Sequence, residues 1–327
     1  MHQKHPPARM AVACSLMRLI LLGSPRDRQA PRACHRLPKE NRRMRRVLAL
    51  LAVLALPATP VVAQHADHAG HAAAIDPALA AAVADPLREK DRARDKYRKP
   101  DETLAFFQVA PTMKVGEYAP GGGWYSRLLG LYLGPKGKLV GLYFDPTTGA
   151  FSAEAQKGIR EGAAKYPAEV AAWSGQPADR FAAYPLDAVP EREKGTFDRI
   201  LVMRMMHNLL RWNIADHEIR RMRELLKPDG MIGIEQHRAR PDAPFAFTDG
   251  SKGYLREADV IKFMEVNGFS FVGRSEANAN AADPANWPEG VWTLPPSLSG
   301  AKDEADKARL RAIGESDRMT LLFRKRP

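Results

Sequence analysis

Residues 115–127 read V-G-E-Y-A-P-G-G-G-W-Y-S-R, and three kinds of local chemistry follow one another in that order. The stretch before the turn predicts a buried strand over 112–118 that carries an acid, Glu117, near its end. Ala119, Pro120, Gly121, Gly122 and Gly123 then predict a tight turn. Glycine reaches positive φ without a steric penalty and has no Cβ to hold a ligand away from the main chain. Trp124 opens a helix whose first amides lack intrahelical partners and can donate to a polar ligand. A glycine-rich strand-to-helix turn is a weak signal on its own, so its meaning depends on what surrounds it.

Downstream, helix and strand patterns alternate. A helix is predicted over 124–133, a strand over 138–144, helical segments over 151–173, a strand over 180–184 and a buried strand, F-D-R-I-L-V-M, over 197–203. An amphipathic helix over 215–226 stops at Lys227-Pro228-Asp229-Gly230, read as a helix end followed by a turn. A strand over 231–235, a helix over 256–266 closed by Asn267-Gly268 and a strand over 269–272 come next. A loop containing Pro and Trp over 278–299, a charged helix and a last strand over 319–323 complete the chain. The predicted fold class is α/β: a Rossmann-like, doubly wound, mostly parallel seven-stranded sheet with an N-terminal helical extension. Its ligand crevice is expected at the C-terminal ends of the early strands. There is no internal repeat.

The chain has 50 Lys+Arg against 38 Asp+Glu, a net charge of +12. Residues 1–46 hold twelve of those cations, with Asp27 and Glu40 as their only acids, so +10 sits in this leader and the rest carries +2. Basicity is therefore no argument for a nucleic-acid partner. Arg42, Arg43, Arg45 and Arg46 precede the apolar run 47–56, and Pro57 and Pro60 lead into Val61-Val62-Ala63. That is the order of a secretory signal peptide over about 44–63, cut after Ala63, which predicts a periplasmic or secreted protein. The apolar run is about half of the ~20 residues that span a bilayer. No cysteine follows it to carry a lipid, so no stable membrane anchor is expected after cleavage. Upstream of Met44 two readings stand: translation starts at Met44, or residues 1–43 are a disordered tail. Cys14 and Cys34 both lie in residues 1–63, which leaves the exported chain without a disulfide, a thiolate nucleophile or a cysteine metal site.

The exported part divides into a tail with charged helices, 64–100, and a domain, 101–327. His65, His68 and His71 recur every three residues, a spacing that can line up imidazoles for a metal or simply mark a polar chain end; Gly70 weakens any helix there. From 76 to 107 the chain is alanine-rich and then densely charged, with helices broken at Pro86 and Pro100 and Asp101 placed to cap the last. A charge run usually reads as a solvated helix face. The alternative is that Arg94, Tyr97 and Arg98 cover the crevice.

Four segments, in order, resemble the class I S-adenosylmethionine-dependent methyltransferases. Residues 115–123 are similar to their first motif, an acid followed by G-x-G-x-G. Residues 197–202 resemble the strand-four motif, and L-L-K-P-D-G-M-I at 225–232 resembles the L-K-P-G-G entry to strand five. The wording of P-G-G-G-W-Y-S-R, H-N-L, E-Q-H-R-A and G-E-S-D-R-M-T is similar to exported bacterial proteins described as predicted methyltransferases. The likeness runs from about Arg94 to the end. It implies S-adenosylmethionine as cofactor, held by Glu117, Ala119, Gly121, Gly122, Gly123 and Asp145. Ala119 stands where a glycine is usual. Tyr143 takes the place of the ribose-binding acid, with Asp145 two residues later; two residues along a strand is the same face, which makes Asp145 the substitute.

Methyl transfer needs alignment of donor and acceptor, which can supply on the order of 7 to 11 kcal/mol of the barrier, and a base for the acceptor's proton. The resemblance places the end of strand four beside the methyl group. His207 is the candidate base there, with Arg204 beside it; Asn208, Glu235 and His237 are candidate substrate-binding residues. Met203, Met205 and Met206 read as core filling, whereas Trp287 and Trp292 either line an acceptor pocket or staple their loop. No metal is expected at this site. Without an Asn/Asp-Pro-Pro-Tyr motif at strand four or any thiol, a nucleobase acceptor is disfavoured and a small molecule is expected. Two alternatives stand: an exported binding protein that keeps the fold without catalysis, and an NAD-dependent oxidoreductase. The first is motivated by the cytosolic origin of the methyl donor. The second fits less well because Ser126 falls where its third glycine belongs.

Overall fold

The computed structural model describes residues 75–327. The leader, its cysteines, the signal-peptide reading and His65, His68 and His71 lie outside the described residues. Four short helices come first: α1 (Pro77–Ala84), α2 (Glu89–Arg92), α3 (Asp95–Arg98) and α4 (Pro100–Phe106). Pro100 sits at the first position of α4, where its missing N–H costs nothing. The cap expected from Asp101 is not formed. Lys99, at φ 39°, occupies the N-cap, and the Asp101 carboxylate accepts from the Glu102 amide at 2.9 Å.

The alternating part runs β1 (Lys114–Tyr118), α5 (Trp124–Tyr132), β2 (Lys138–Tyr143), α6 (Ala153–Ser174), β3 (Phe181–Pro185), β4 (Phe197–Met203), α7 (Met206–Arg211) and α8 (Ala215–Leu225). It continues with β5 (Leu226–His237), α9 (Phe245–Thr248), α10 (Glu257–Val266), β6 (Phe269–Ser275), α11 (Glu304–Ile313) and β7 (Arg318–Lys325). The seven strands form one sheet in the order β3-β2-β1-β4-β5-β7-β6. Its pairings are parallel except those of β7, which is antiparallel to both neighbours. This is the doubly wound, mostly parallel sheet expected. One local reading changes: Lys227-Pro228-Asp229-Gly230 lies within β5. The ladder to β4 passes from Phe197↔Leu226 directly to Arg199↔Met231, so these residues bulge from a continuing strand. Proline and glycine fit there because no ladder bond is asked of them.

Alternation along each strand sorts side chains into two layers. In β4, Ile200 and Val202 join the core under α7, α8 and α10, with Leu209, Ile219, Met222, Val260 and Met264. Leu201 and Met203 join the opposite core with Leu104, Leu128, Leu129, Tyr166 and Val170 of α4, α5 and α6. The same rule sends Glu117 toward α5 and α6, and Tyr118 toward α8. A third apolar cluster holds the late loop through Tyr254, Ala285 and Val291. Among the described residues no helix is long and apolar enough to cross a membrane.

Candidate functional site

The C-terminal ends of the parallel strands and the start of β7 meet at one edge, and the glycine turn lies there. Ala119, Gly121 and Gly123 all have positive φ, 47°, 57° and 72°. The three glycines are small for different reasons. A Cβ on Gly123 would lie 2.3 Å from the Trp173 ring, so packing and φ both demand glycine. Gly121 needs it for φ. Gly122 has neither constraint: its φ is not positive, and beyond its own chain neighbours no atom of the described residues lies within 4 Å of the place where its Cβ would be. Its carbonyl accepts from Arg127 Nη1 at 2.9 Å, and the side where a Cβ would stand faces open space.

Three carboxyls stand behind this turn. Glu117, 3% exposed, accepts at Oε2 from Ser126 Oγ at 2.5 Å and Tyr166 OH at 3.2 Å. Burial pushes its carboxyl up to about 7, against the pull of those two hydroxyls. Asp145 is buried, and both of its oxygens are taken: Oδ1 accepts from the Thr147 amide at 2.8 Å and hydroxyl at 2.6 Å, and Oδ2 lies 2.8 Å from His217 Nε2. Burial opposes its ionisation, but the Thr147 bonds and His217 hold its carboxyl below the ordinary value. The reasoning that Asp145 shares a face with Tyr143 does not hold, because β2 ends at Tyr143 and the chain turns. Tyr143 stacks edge-on to Tyr166 of α6, whereas Asp145 engages α8: its amide donates to Glu218 Oε1 at 3.0 Å. Tyr118 OH donates to Glu218 Oε2 at 2.7 Å, and burial raises Glu218 to about 7.

Farther along the edge the polar groups are ionic. Arg204, just after β4 at φ 55°, donates from Nη1 to Glu235 Oε2 at 2.7 Å. Arg318 Nη1 lies 2.9 Å from Glu235 Oε1 and donates to Glu315 Oε2 at 3.0 Å. Arg94 and Arg98 reach the same Glu315 at 2.6 and 3.2 Å. Arg98 also lies over the Trp124 ring, 4.7 Å from its centroid, and Arg127 forks onto Asp91 at 2.5 and 2.7 Å. The charged run is thus two-sided: Arg88, Asp91 and Arg98 are buried where α2 and α3 pack on the start of α5 and on the β7 end of the crevice, and Glu89, Lys90, Arg92 and Lys96 form a solvated face. Burial and the neighbouring Arg204 bring Arg98 down to about 9 despite Glu315. Tyr125 OH is buried beside this cluster without a hydrogen-bond partner among the described residues.

His207 is 4% exposed, its Nδ1 3.3 Å from Gln236 Oε1 and its ring against those of His237 and Trp292. Burial lowers it to about 4, so it is neutral at pH 7. His237 is half-buried at the end of β5, with Nδ1 2.6 Å from Ser316 Oγ. Burial and then His207 and the arginines lower it well below the ordinary histidine value. Asn208 Nδ2 contacts Met205 Sδ at 3.1 Å, and its Oδ1 is buried without a partner among the described residues. Met203 and Met206 fill the two cores. Trp287 staples its loop by donating to Asp283 Oδ1 at 2.9 Å.

The structure thus joins Glu117, Ala119 and the three glycines in one turn, and Arg204, Glu235, His207 and His237 in a second cluster. Asp145 belongs with α8. Sequence reasoning missed Ser126, Tyr166, His217, Glu315 and Arg318. The last two carried a readable signal, an acid and a base three residues apart within G-E-S-D-R-M-T, at the mouth of a strand whose centre is apolar.

No family model and no curated protein matches the chain. Solved structures superpose on it weakly. A SAM-dependent methyltransferase from Aquifex aeolicus has a TM-score of 0.41 at 18% identity, covering 59% of this chain and 92% of its own. The [4+2]-cyclase SpnF scores 0.40 at 15%, covering 73% and 80%. A 1,6-didemethyltoxoflavin-N1-methyltransferase from Burkholderia thailandensis, with bound 1,6-didemethyltoxoflavin and S-adenosylhomocysteine, scores 0.38 at 14%, covering 79% and 94%. Scores of this size decide nothing about function, and the fold rests on the strand order itself.

Proposed function

We propose that the chain is an S-adenosylmethionine-dependent methyltransferase acting on a small-molecule acceptor after export to the periplasm. Gly122 carries the cofactor assignment: its missing side chain answers to no neighbour in the protein and leaves the turn open to a ligand. Glu117, Gly121, Gly122 and Gly123 would hold the cofactor, which when bound supplies a methyl group already activated by a positive sulfur. The chain's part is to orient the acceptor and take its proton. Of the two histidines His237 is the one at the rim, with Ser316 fixing one ring nitrogen; burial lowers both imidazoles, so position and not basicity favours it. Arg204 and Glu235, locked together, would shape the acceptor side.

A second reading, an exported binding protein of the same fold without catalysis, is favoured by one observation. Both oxygens of Asp145 are engaged inside the protein, which leaves its carboxylate unavailable to a ribose. Calorimetric titration of the full chain with S-adenosylmethionine and S-adenosylhomocysteine, followed by methyl transfer to a panel of phenols, amines and acids, tests both. Saturable binding that Gly122→Val abolishes is expected, and a ligand at a hundredfold excess over its Kd adds ~2.7 kcal/mol of stability. Turnover then supports the enzyme, and binding without turnover supports the second reading. Absence of binding overturns the cofactor.

A further inference from the structure

Arg127 follows Trp124 by three residues in α5, so both side chains leave the helix on one face. All three nitrogens of the Arg127 guanidinium are engaged. Nε and Nη2 fork onto the buried Asp91 of α2 at 2.5 and 2.7 Å, and Nη1 donates to the Gly122 carbonyl at 2.9 Å. A fork on a carboxylate fixes the plane of the guanidinium as well as its place. Asp91 therefore aims the remaining N–H, and what that N–H meets is the peptide between Gly122 and Gly123. The other end of the same peptide is held too, because the Gly123 amide donates to the Pro120 carbonyl at 3.0 Å. Three successive glycines leave a backbone more conformational freedom than any other residues would, so the bond from Arg127 falls where the chain is least able to keep its own shape.

The N-terminal helices hold the next residue as well. Arg88 and Arg98 both lie over the Trp124 ring, 5.2 and 4.7 Å from its centroid, and Trp124 Nε1 donates to the Asp91 carbonyl at 3.4 Å. From α6, Trp173 fills the space beside Gly123, and Arg127 lies over that ring at 5.2 Å. We propose that Asp91 and Arg127 are positioning residues of the glycine turn: α2, docked through Asp91, orients Arg127, and Arg127 sets the Gly122–Gly123 peptide in the form that a ligand meets. The consequence for binding rests on the turn being the cofactor site. Undocking α2 then weakens the cofactor, and bound cofactor holds α2 in place, because coupling between two sites is reciprocal.

Hydrogen exchange of the Gly123 and Arg127 amides, which donate to Pro120 and Gly123 carbonyls, reads the turn in the full-length protein without any cofactor. Asp91→Ala should speed exchange at both by about fivefold or more. Arg127→Lys keeps a cation for Asp91 but has no fork to aim a further N–H; it should speed the same two amides with a smaller loss of melting temperature. Arg94→Gln loosens α3 elsewhere, on a Glu315 that Arg98 and Arg318 still hold, and should leave both amides at the wild-type rate. Calorimetry with S-adenosylmethionine should then show affinity about fivefold or more weaker in Asp91→Ala and Arg127→Lys and unchanged in Arg94→Gln. Wild-type exchange in Asp91→Ala and Arg127→Lys, or the same acceleration in Arg94→Gln, overturns the clamp. Faster exchange with unchanged affinity overturns its link to the ligand. Faster exchange in a protein whose wild type binds no S-adenosylmethionine upholds the clamp and overturns the cofactor instead.

Discussion

Around β1 the buried carboxyl of Glu117 is surrounded by the hydroxyls of Ser126 and Tyr166, whereas around the start of β7 Glu315 is surrounded by the guanidiniums of Arg94, Arg98 and Arg318. Both acids are nearly inaccessible and both stand at the same edge of the sheet. Hydroxyls do not compensate for the lost hydration of a carboxylate, so Glu117 is pushed up to about 7. Three cations more than compensate for it at Glu315, which is held below its ordinary value. One half of the edge therefore presents a polar surface that can shed its charge, and the other is an ionic lock that fastens α3 to β7. A ligand-binding turn gains from the first arrangement, since its walls can follow the charge of what they meet. The second serves attachment.

The largest expected effect comes from breaking the lock. Arg318→Met removes the cation that Glu235 and Glu315 share while Arg204 stays on the first and Arg94 and Arg98 on the second, so the cost should approach but not exceed the about 3–5 kcal/mol of breaking a buried pair. Glu117→Gln at pH 6 should stay within about 1 kcal/mol, because an amide can replace a carboxyl that already holds its proton. Urea midpoints at fixed m-value measure both. Equal losses would erase the contrast between the two halves.

The same contrast predicts opposite pH dependences. Glu117 ionises near its ordinary 4.5 when unfolded and near about 7 when folded. Between these values the native state binds more protons, so stability falls as pH rises through that window and then levels off. The contribution of Glu315 has the other sign: it is present above pH 4.5 and lost as acid titrates the folded carboxylate. Glu117→Gln should change the difference in stability between pH 5 and pH 8 by up to roughly 3 kcal/mol, leaving a slope of comparable size from Glu218 and the opposite slope of His207 and His237, whose lowered values make stability rise with pH. A variant with the wild-type slope would mean that Glu117 is ionised in the folded protein throughout.

How much of this the sequence disclosed depended on whether a feature is local. The strand F-D-R-I-L-V-M appears at the predicted bounds because a run of apolar residues with the right period needs no distant partner to be read. The glycine turn was legible for the same reason. Asp145 was misplaced on a face because strand termination at Tyr143 depends on how β2 pairs with β1 and β3, which no window of residues contains. The charged run 88–100 was open to two readings, since Arg88, Arg98 and Asp91 become interior only when Trp124, Glu315 and Arg127 are brought to them. Each of those partners is at least 36 residues away in the chain, and charge density alone looks the same on a solvated helix.

Two adjacent glycines offer the finest version of the comparison, within the turn itself. Gly123→Ala puts a Cβ 2.3 Å from the Trp173 ring at φ 72°, and overpacking with positive φ should cost roughly 1–3 kcal/mol. Gly122→Ala adds the same methyl group where nothing lies within 4 Å, and its stability should stay within about 0.5 kcal/mol of wild type. Ligand binding should rank them the other way. At subsaturating temperature stress, with folded protein present in both, Gly122→Ala should lower affinity for S-adenosylmethionine more than Gly123→Ala does, because its methyl group enters the space in front of the backbone and that of Gly123 points into the protein. Melting curves with and without the cofactor measure both quantities in one experiment. If the two substitutions weaken binding only in proportion to their cost in stability, the opening at Gly122 is an ordinary exposed turn, and the turn holds the chain's own packing and nothing more.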